Sequence, residues 1–329
     1  MERMISHFPE QLAEALRSVE KVTYRPHRHD LRQVLISGLG GSGIGGNFVQ
    51  ELVGSTCKVP IWVNKGYTAP AWIGRHTLAI CSSYSGNTEE TLSVFEQLSR
   101  TEAKVVCISS GGRLLERAEA LGLDMVRLPG GWSSPRACLG YSIVAQLSVL
   151  KAAGVMGRQI FEEIEAARQL LMHEQDSIRR HAQHIAGFLA DKLPVLYCAD
   201  DSEAVALRWR QQINENAKML CWHHVVPEMN HNELVGWREQ QPRMAIVWLR
   251  HQDEHPRTAV RLNLVKEILQ HFVGSSIEVR AKGATAAEQK LYLVHLGDWV
   301  SFYLAQQRGV DPVEIRVIDF LKSELAKMG

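Results

Sequence analysis

Hydrophobic positions along this chain follow two rhythms that alternate. Ile5, Phe8, Leu12, Ala15, Leu16 and Val19 recur at intervals of three and four, which predicts an amphipathic helix. After a basic connector (Arg25 to His29) the pattern shifts to short apolar runs. Residues 33–37, 60–63, 78–81, 104–109 and 125–128 read as strands. Helical spacing separates them at residues 47–53, from Glu89 through Leu92, Val94, Phe95 and Leu98, and after Gly112. Strands alternating with helices argue for a parallel sheet flanked by helices. Residues 137–156 form the longest apolar helix, but Gln146 and Lys151 interrupt it, so it reads as a buried helix and not a membrane span. Residues 160–193 are helical, with a break expected near Gln175.

The first rhythm then returns. Residues 194–199, 244–249 and 276–280 read as strands, with helices at 203–219 and 258–271 between them. Val34 corresponds to Val195, Ala79 to Ile246 and Val106 to Ile277, so the chain reads as one unit duplicated in topology. The expected class is α/β, with two subdomains, each a parallel sheet flanked by helices, at residues 1–155 and 156–329. A closing helix is expected in DPVEIRVIDFLKSELAKM, with Pro312 near its start.

Candidate chemistry sits where strands end. Residues 79–91 read AICSSYSGNTEET: an apolar strand, then Ser83, Ser85, Gly86 and Thr88, then a helix with two acids in its first turn. A strand ending in a Ser/Thr/Gly loop that opens a helix can hold phosphate. Free N–H groups and the helix dipole favour an anion, and short hydroxyls add donors. A capped helix start needs one hydroxyl, and this loop offers three. Upstream, GLGGSGIGG spans residues 38–46. Gly38, Gly40 and Gly43 satisfy GxGxxG, so a dinucleotide site is one reading. It needs an acid at the end of the next strand, where Asn64 and Lys65 stand instead. Arg136 lies at a helix start in PRACLGYS, a position that favours anions, and would face an anion bound beside it. In the second half, the loop RHQDEHPRT lacks the serine–glycine–threonine pattern and carries acids. Only the first half is expected to bind phosphate.

Composition narrows the classes. The chain has 329 residues, formal net charge +1 and 45% hydrophobic residues, which suits two packed domains and points to neither nucleic acid nor a membrane surface. Six cysteines are scattered without a CxxC pair, so buried free thiols and a reducing compartment are expected, hence the cytoplasm. MERMISHFPEQ has no apolar signal core, so no export is expected. The fourteen histidines form no HExxH or similar context, so no metal is assigned.

SYSGNTEET resembles the phosphate loop of the SIS (sugar isomerase) family. With the glycine-rich loop, PRACLGYS, INENAK, NHNELVGW and IDFLKSEL, nearly the whole chain resembles the phosphoglucose/phosphomannose isomerase branch. The resemblance implies an aldose–ketose isomerase without cofactor, acting on a hexose 6-phosphate through an enediol. It implies catalytic roles for Arg136, Glu215, His231 and Lys322, phosphate contacts from Ser42, Ser83, Ser85 and Thr88, and substrate loops at Gly41 and Gly86. It also implies a homodimer in which the histidine enters the neighbouring subunit's site. A carboxylate suits proton transfer between adjacent carbons, a fixed cation suits enediolate charge, and a histidine suits ring opening. Two other classes stay open: a non-catalytic sugar-phosphate regulator and a nicotinamide-dependent oxidoreductase.

Overall fold

The computed structural model describes residues 1–19 and 24–328, apart from the side chain of Val19, so the last position of the expected N-terminal stripe lies outside the described side chains. Among the described residues the order is α1 (Glu2–Ser6), α2 (Phe8–Val19), β1 (Gln33–Ser37), α3 (Gly40–Val53), β2 (Ile61–Asn64), β3 (Thr77–Ser82), α4 (Glu89–Leu98), β4 (Lys104–Ser109), α5 (Gly112–Ala120), β5 (Asp124–Arg127), α6 (Leu139–Ala152) and α7 (Gln159–Leu189). There follow β6 (Leu193–Ala199), α8 (Glu203–Ala217), β7 (Trp222–Val226), β8 (Met244–Arg250), α9 (Pro256–Leu269), β9 (Ser276–Arg280), α10 (Ala286–Gln307) and α11 (Arg316–Leu325). Compactness divides the chain into two units. The first is Ser6–His173 with Gly283–Leu291; the second is Met1–Ile5, Glu174–Lys282 and Tyr292–Gly329. α7 and α10 are each divided between them, whereas the sequence suggests a boundary after residue 155.

The first unit holds a five-stranded sheet in the order β2-β1-β3-β4-β5, with every pairing parallel. β3 is buried along its whole length, as its unbroken apolar run requires for a central strand covered on both faces. Leu35, Ala79, Cys81, Val105 and Cys107 pack under α4 and α5 through Leu92, Phe95, Leu98, Leu114 and Leu115. α3 covers the other face, with Gly46 against Ile36.

The second unit repeats the plan in four parallel strands, β7-β6-β8-β9. β6 matches β1, β8 matches β3 and β9 matches β4, so the duplication read from the sequence is present as strand order. Val195, Tyr197, Ile246 and Trp248 form one core face with Leu262, Val265 and Leu269 of α9.

Five elements differ from expectation. α3 begins at Gly40, so the glycine-rich segment is the helix's own first two turns and not a loop before it. α7 runs unbroken for 31 residues; no Gly or Pro occurs before Gly187, and Gln175 alone does not break a helix rich in strong helix formers. The closing helix begins at Arg316, four residues beyond Pro312. β7 and α10 have no periodic signal. β7 is an edge strand rich in histidine, and α10 is buried almost all round beyond Leu291, which erases an amphipathic stripe.

Candidate active site

In the first unit, the segments at the carboxyl ends of β1 and β3 and the start of α6 come together through specific contacts. Ser83 is buried immediately after β3. Its amide donates to the Ile108 carbonyl at 3.0 Å. Its hydroxyl shares a 2.8 Å hydrogen bond with Thr88 Oγ1 and accepts from the Gly86 amide at 3.1 Å. Gly86 has φ +70°, and a side chain there would overlap the Gly111 carbonyl oxygen, so the turn demands glycine. Ser85 is exposed at the tip and accepts from the Asn87 amide at 3.2 Å. Thr88 is the extended residue before α4, and its side chain makes no capping bond. The loop thus sets the bonded Ser83–Thr88 pair, with Ser85 at its exposed tip, immediately before α4, whose leading N–H groups have no partner within the helix.

Ser42, in the first turn of α3, ties this loop to the glycine-rich segment: its Oγ accepts from the Tyr84 amide at 3.2 Å. Gly41 lies against the next segment. A Cβ there would stand 3.0 Å from the Pro135 carbonyl oxygen and 3.6 Å from Arg136 Cα. Arg136 occupies a short 3-10 turn, Pro135–Ala137, and is only 6% exposed. The structure therefore gathers Gly41, Ser42, Ser83, Ser85, Gly86, Thr88 and Arg136 into one neighbourhood. Arg136 is thus a buried cationic residue whose backbone lies against the first turn of α3.

Two supporting roles are absent from the sequence reading, in which Gln146 figures only as an interruption of an apolar helix. Gln146 is fully buried, and its Nε2 donates to the Ser42 carbonyl at 3.1 Å, to Ser142 Oγ at 3.0 Å and to Ser82 Oγ at 3.4 Å. Gln11, also fully buried, donates to the Ala137 carbonyl and accepts from the Gly140 amide, both at 2.8 Å, which holds the turn bearing Arg136. A glutamine on the apolar face of a helix was the available signal, since a buried amide needs partners.

The other three candidates lie on separate elements of the second unit. Glu215 is half-buried in the last turn of α8. That helix is fastened to α10 by the buried pair Arg208–Asp298 (2.8 Å), by Trp209 Nε1 to the Leu293 carbonyl (2.8 Å) and by Asn216 Nδ2 to Ser301 Oγ (2.9 Å). Lys218, in the left-handed conformation, ends the helix and donates to the Glu215 carbonyl at 2.5 Å and the Glu314 carbonyl at 2.6 Å. His231 is exposed between two short 3-10 turns, Glu228–His231 and Glu233–Gly236. Lys322 is exposed on α11, which buries none of its residues. Among the described residues, no group of three or more His, Cys, Asp or Glu side chains is placed to hold a metal ion, and no helix is long and apolar enough to cross a membrane.

Residues 178–325 match the family model described as bacterial phospho-glucose isomerase C-terminal SIS domain. The chain is 35% identical over 334 residues, 98% of both chains, to a bifunctional phosphoglucose/phosphomannose isomerase of Caldicellulosiruptor bescii. It is 38% identical over 297 residues, 89% of this chain and 90% of the relative, to one from Aquifex aeolicus. Among solved structures, the C-terminal domain of glucosamine-fructose-6-phosphate aminotransferase from Francisella tularensis superposes with TM-score 0.76 at 16% identity, covering 95% of this chain and 97% of that one. Tagatose-6-phosphate ketose/aldose isomerase from Escherichia coli gives 0.65 at 15%, covering 95% and 94%. At those identities the structural likeness speaks to the fold alone.

Proposed function

The chain belongs to the bifunctional phosphoglucose/phosphomannose isomerase family, and from that premise we propose that it interconverts glucose 6-phosphate and mannose 6-phosphate with fructose 6-phosphate through an enediolate. The observation that carries this reading is the tie between Ser42 Oγ and the Tyr84 amide, with buried Arg136 beside Gly41. It supports one anion-binding neighbourhood where two separate loops stood in the sequence. Ser42, Ser83, Ser85 and Thr88 then hold the phosphate.

The substrate ring opens first. The C1–O5 bond breaks, O5 gains a proton and the C1 hydroxyl loses one. His231 carries that exchange with Lys322 as its partner. Glu215 takes the proton from C2 and returns it to C1, while a hydroxyl proton moves from O2 to O1. Arg136 stabilises the negative charge that grows on the enediolate oxygens. These steps use side chains alone and need no metal. We read residues 1–155 as the phosphate-holding part and 156–329 as the part that supplies Glu215, His231 and Lys322, in a cytoplasmic enzyme.

We also read the enzyme as a homodimer with shared sites. Support comes from α11, which leaves Val317, Phe320 and Leu321 exposed at 83%, 66% and 58%, more apolar surface than one isolated helix face usually presents to water. The test is production of fructose 6-phosphate from each aldose phosphate in the presence of a strong chelator, on a preparation whose mass is measured by light scattering. Turnover of both substrates with chelator, at twice the chain mass, is expected. No turnover of either substrate overturns the activity, rescue by added zinc overturns the metal-free route, and a monomer active at full rate overturns the shared site.

A further inference from the structure

The loop that presents His231 is tied to the core of the second unit by the packing of Met229 and Trp237 and by one buried phenol. Tyr197 lies in β6, wholly buried, with its ring 5.1 Å from that of Trp248. Its hydroxyl donates to the Glu233 carboxylate and accepts from Trp237 Nε1 at 3.2 Å. Glu233 and Trp237 bracket the 3-10 turn that follows His231. On the other side of His231, Met229 is fully buried and Asn230 accepts from Arg261 of α9 at 3.4 Å. Asn232 links the two turns: its Oδ1 accepts from the Glu233 amide at 2.6 Å, and its Nδ2 donates to Glu228 at 2.9 Å.

These turns are too short to hold themselves, because a 3-10 turn of four residues has few hydrogen bonds and poor geometry. An exposed imidazole on such a segment takes its position from the anchors on either side. The anchor after His231 combines Trp237 in the core, Leu234 packed against it, and the bonds of the Tyr197 hydroxyl to Glu233 and Trp237. A cavity of about 420 Å3, lined by Trp222, Glu233, Gly236, Trp237, Gln241 and Met244, lies alongside it, so the loop has room to shift once those bonds are cut. Burial first, and then the Glu233 carboxylate, push the Tyr197 phenol far above its usual pKa, which keeps it a neutral donor at any working pH.

We propose that Tyr197 is a positioning residue for ring opening: through Glu233 and Trp237 it sets where the His231 imidazole stands. This rests on the assignment of ring opening to His231, so the experiment separates the two. In a Glu215→Gln background, carbon-to-carbon proton transfer is disabled, and exchange between the α and β anomers of glucose 6-phosphate reports ring opening alone. Magnetisation-transfer NMR reads that exchange. Adding His231→Ala should return it to the uncatalysed rate. Adding Tyr197→Phe should slow it about tenfold with substrate affinity unchanged, the scale of loss expected from a displaced catalytic group. Glu233→Ala should slow exchange by up to the loss seen in Tyr197→Phe, which also removes the acceptor of Trp237 Nε1, while Glu233→Gln, which keeps an acceptor for the phenol, should retain most of the rate. The pair Tyr197→Phe with Glu233→Ala should be no slower than Tyr197→Phe alone, because the phenol takes part in the contact that Glu233→Ala removes. If Tyr197→Phe fails to fold, the Glu233 series carries the test, since that side chain is only half-buried.

If His231→Ala stops exchange while folded Tyr197→Phe, or the Glu233→Ala that stands in for it, keeps the full rate, the positioning role is overturned and the histidine assignment stands. If His231→Ala leaves exchange intact, both are overturned. Additive losses in the double variant also overturn the proposal, because the two side chains would then act separately.

Discussion

The loop after β3 and the loop after β8 occupy equivalent places in their sheets and have opposite contents. After β3, Ser83, Ser85 and Thr88 line a hydroxyl-rich turn before a helix start, with Ser83 bonded to Thr88. After β8, the chain supplies its own anion. Arg250 donates to the Glu254 carboxylate through Nε at 2.7 Å and Nη2 at 2.7 Å, and the His251 loop amide donates to the same carboxylate at 3.1 Å. Both side chains are almost wholly buried, at 4% and 3%. Arg250 also reaches Asn263 at 2.9 Å. One strand–loop–helix plan therefore carries short hydroxyls in the first unit, where we propose that an external anion binds, and a loop closed by an internal carboxylate in the second. The duplicated halves diverged in charge and not in backbone plan, and that difference fits the proposed division: binding in the first half, proton transfer in the second.

The harshest way to break that division is Glu215→Gln. This near-isosteric change removes a base and should lower kcat about 100- to 10,000-fold while KM stays near wild type. Exchange of the C2 proton with deuterium from solvent should disappear with it. Retained exchange would mean that the second half does not supply the base.

Glu254→Gln comes next and tests the closed loop. It leaves Arg250 buried without its main counter-charge, and breaking such a pair costs about 3–5 kcal/mol. With Asn263 still in contact, the lower end is expected, seen as a shift of the urea midpoint with KM unchanged. A rise in KM without loss of stability would show that this loop meets substrate.

The gentlest change sharpens the contrast from the open side. Thr88→Ala and Ser85→Ala each remove a donor to a charged group, a contact typically contributing about 1.5–3 kcal/mol. Each should raise KM about tenfold or more, with some loss of kcat allowed because remote binding energy also serves the transition state. Wild-type saturation curves for both variants would move the phosphate elsewhere.

Much of this layout is legible without coordinates. The strands at residues 33–37, 104–109 and 276–280 coincide with β1, β4 and β9 to the residue, because short apolar runs bounded by turn residues have few other solutions. The hydroxyl loop and the acid-rich loop were both recognisable, since turn chemistry is local. The reading failed where helix starts and stops are set from outside. α3 begins seven residues early because its glycines pack against Ile36, Pro135 and Ser142 of other segments, and α10 carries no stripe because it is covered on nearly every side beyond Leu291.

What the sequence determined by itself is the order of elements, the duplication and the residue types at each strand end, all of which depend on neighbours a few positions apart. What only the tertiary structure decided is which polar side chains are buried together. Gln11 meets Gly140 across 129 positions, Ser42 meets Tyr84 across 42, and Tyr197 meets Glu233 across 36. No periodicity encodes such pairs. They follow from packing, which removes water from each group and obliges it to find a partner wherever the fold has brought one.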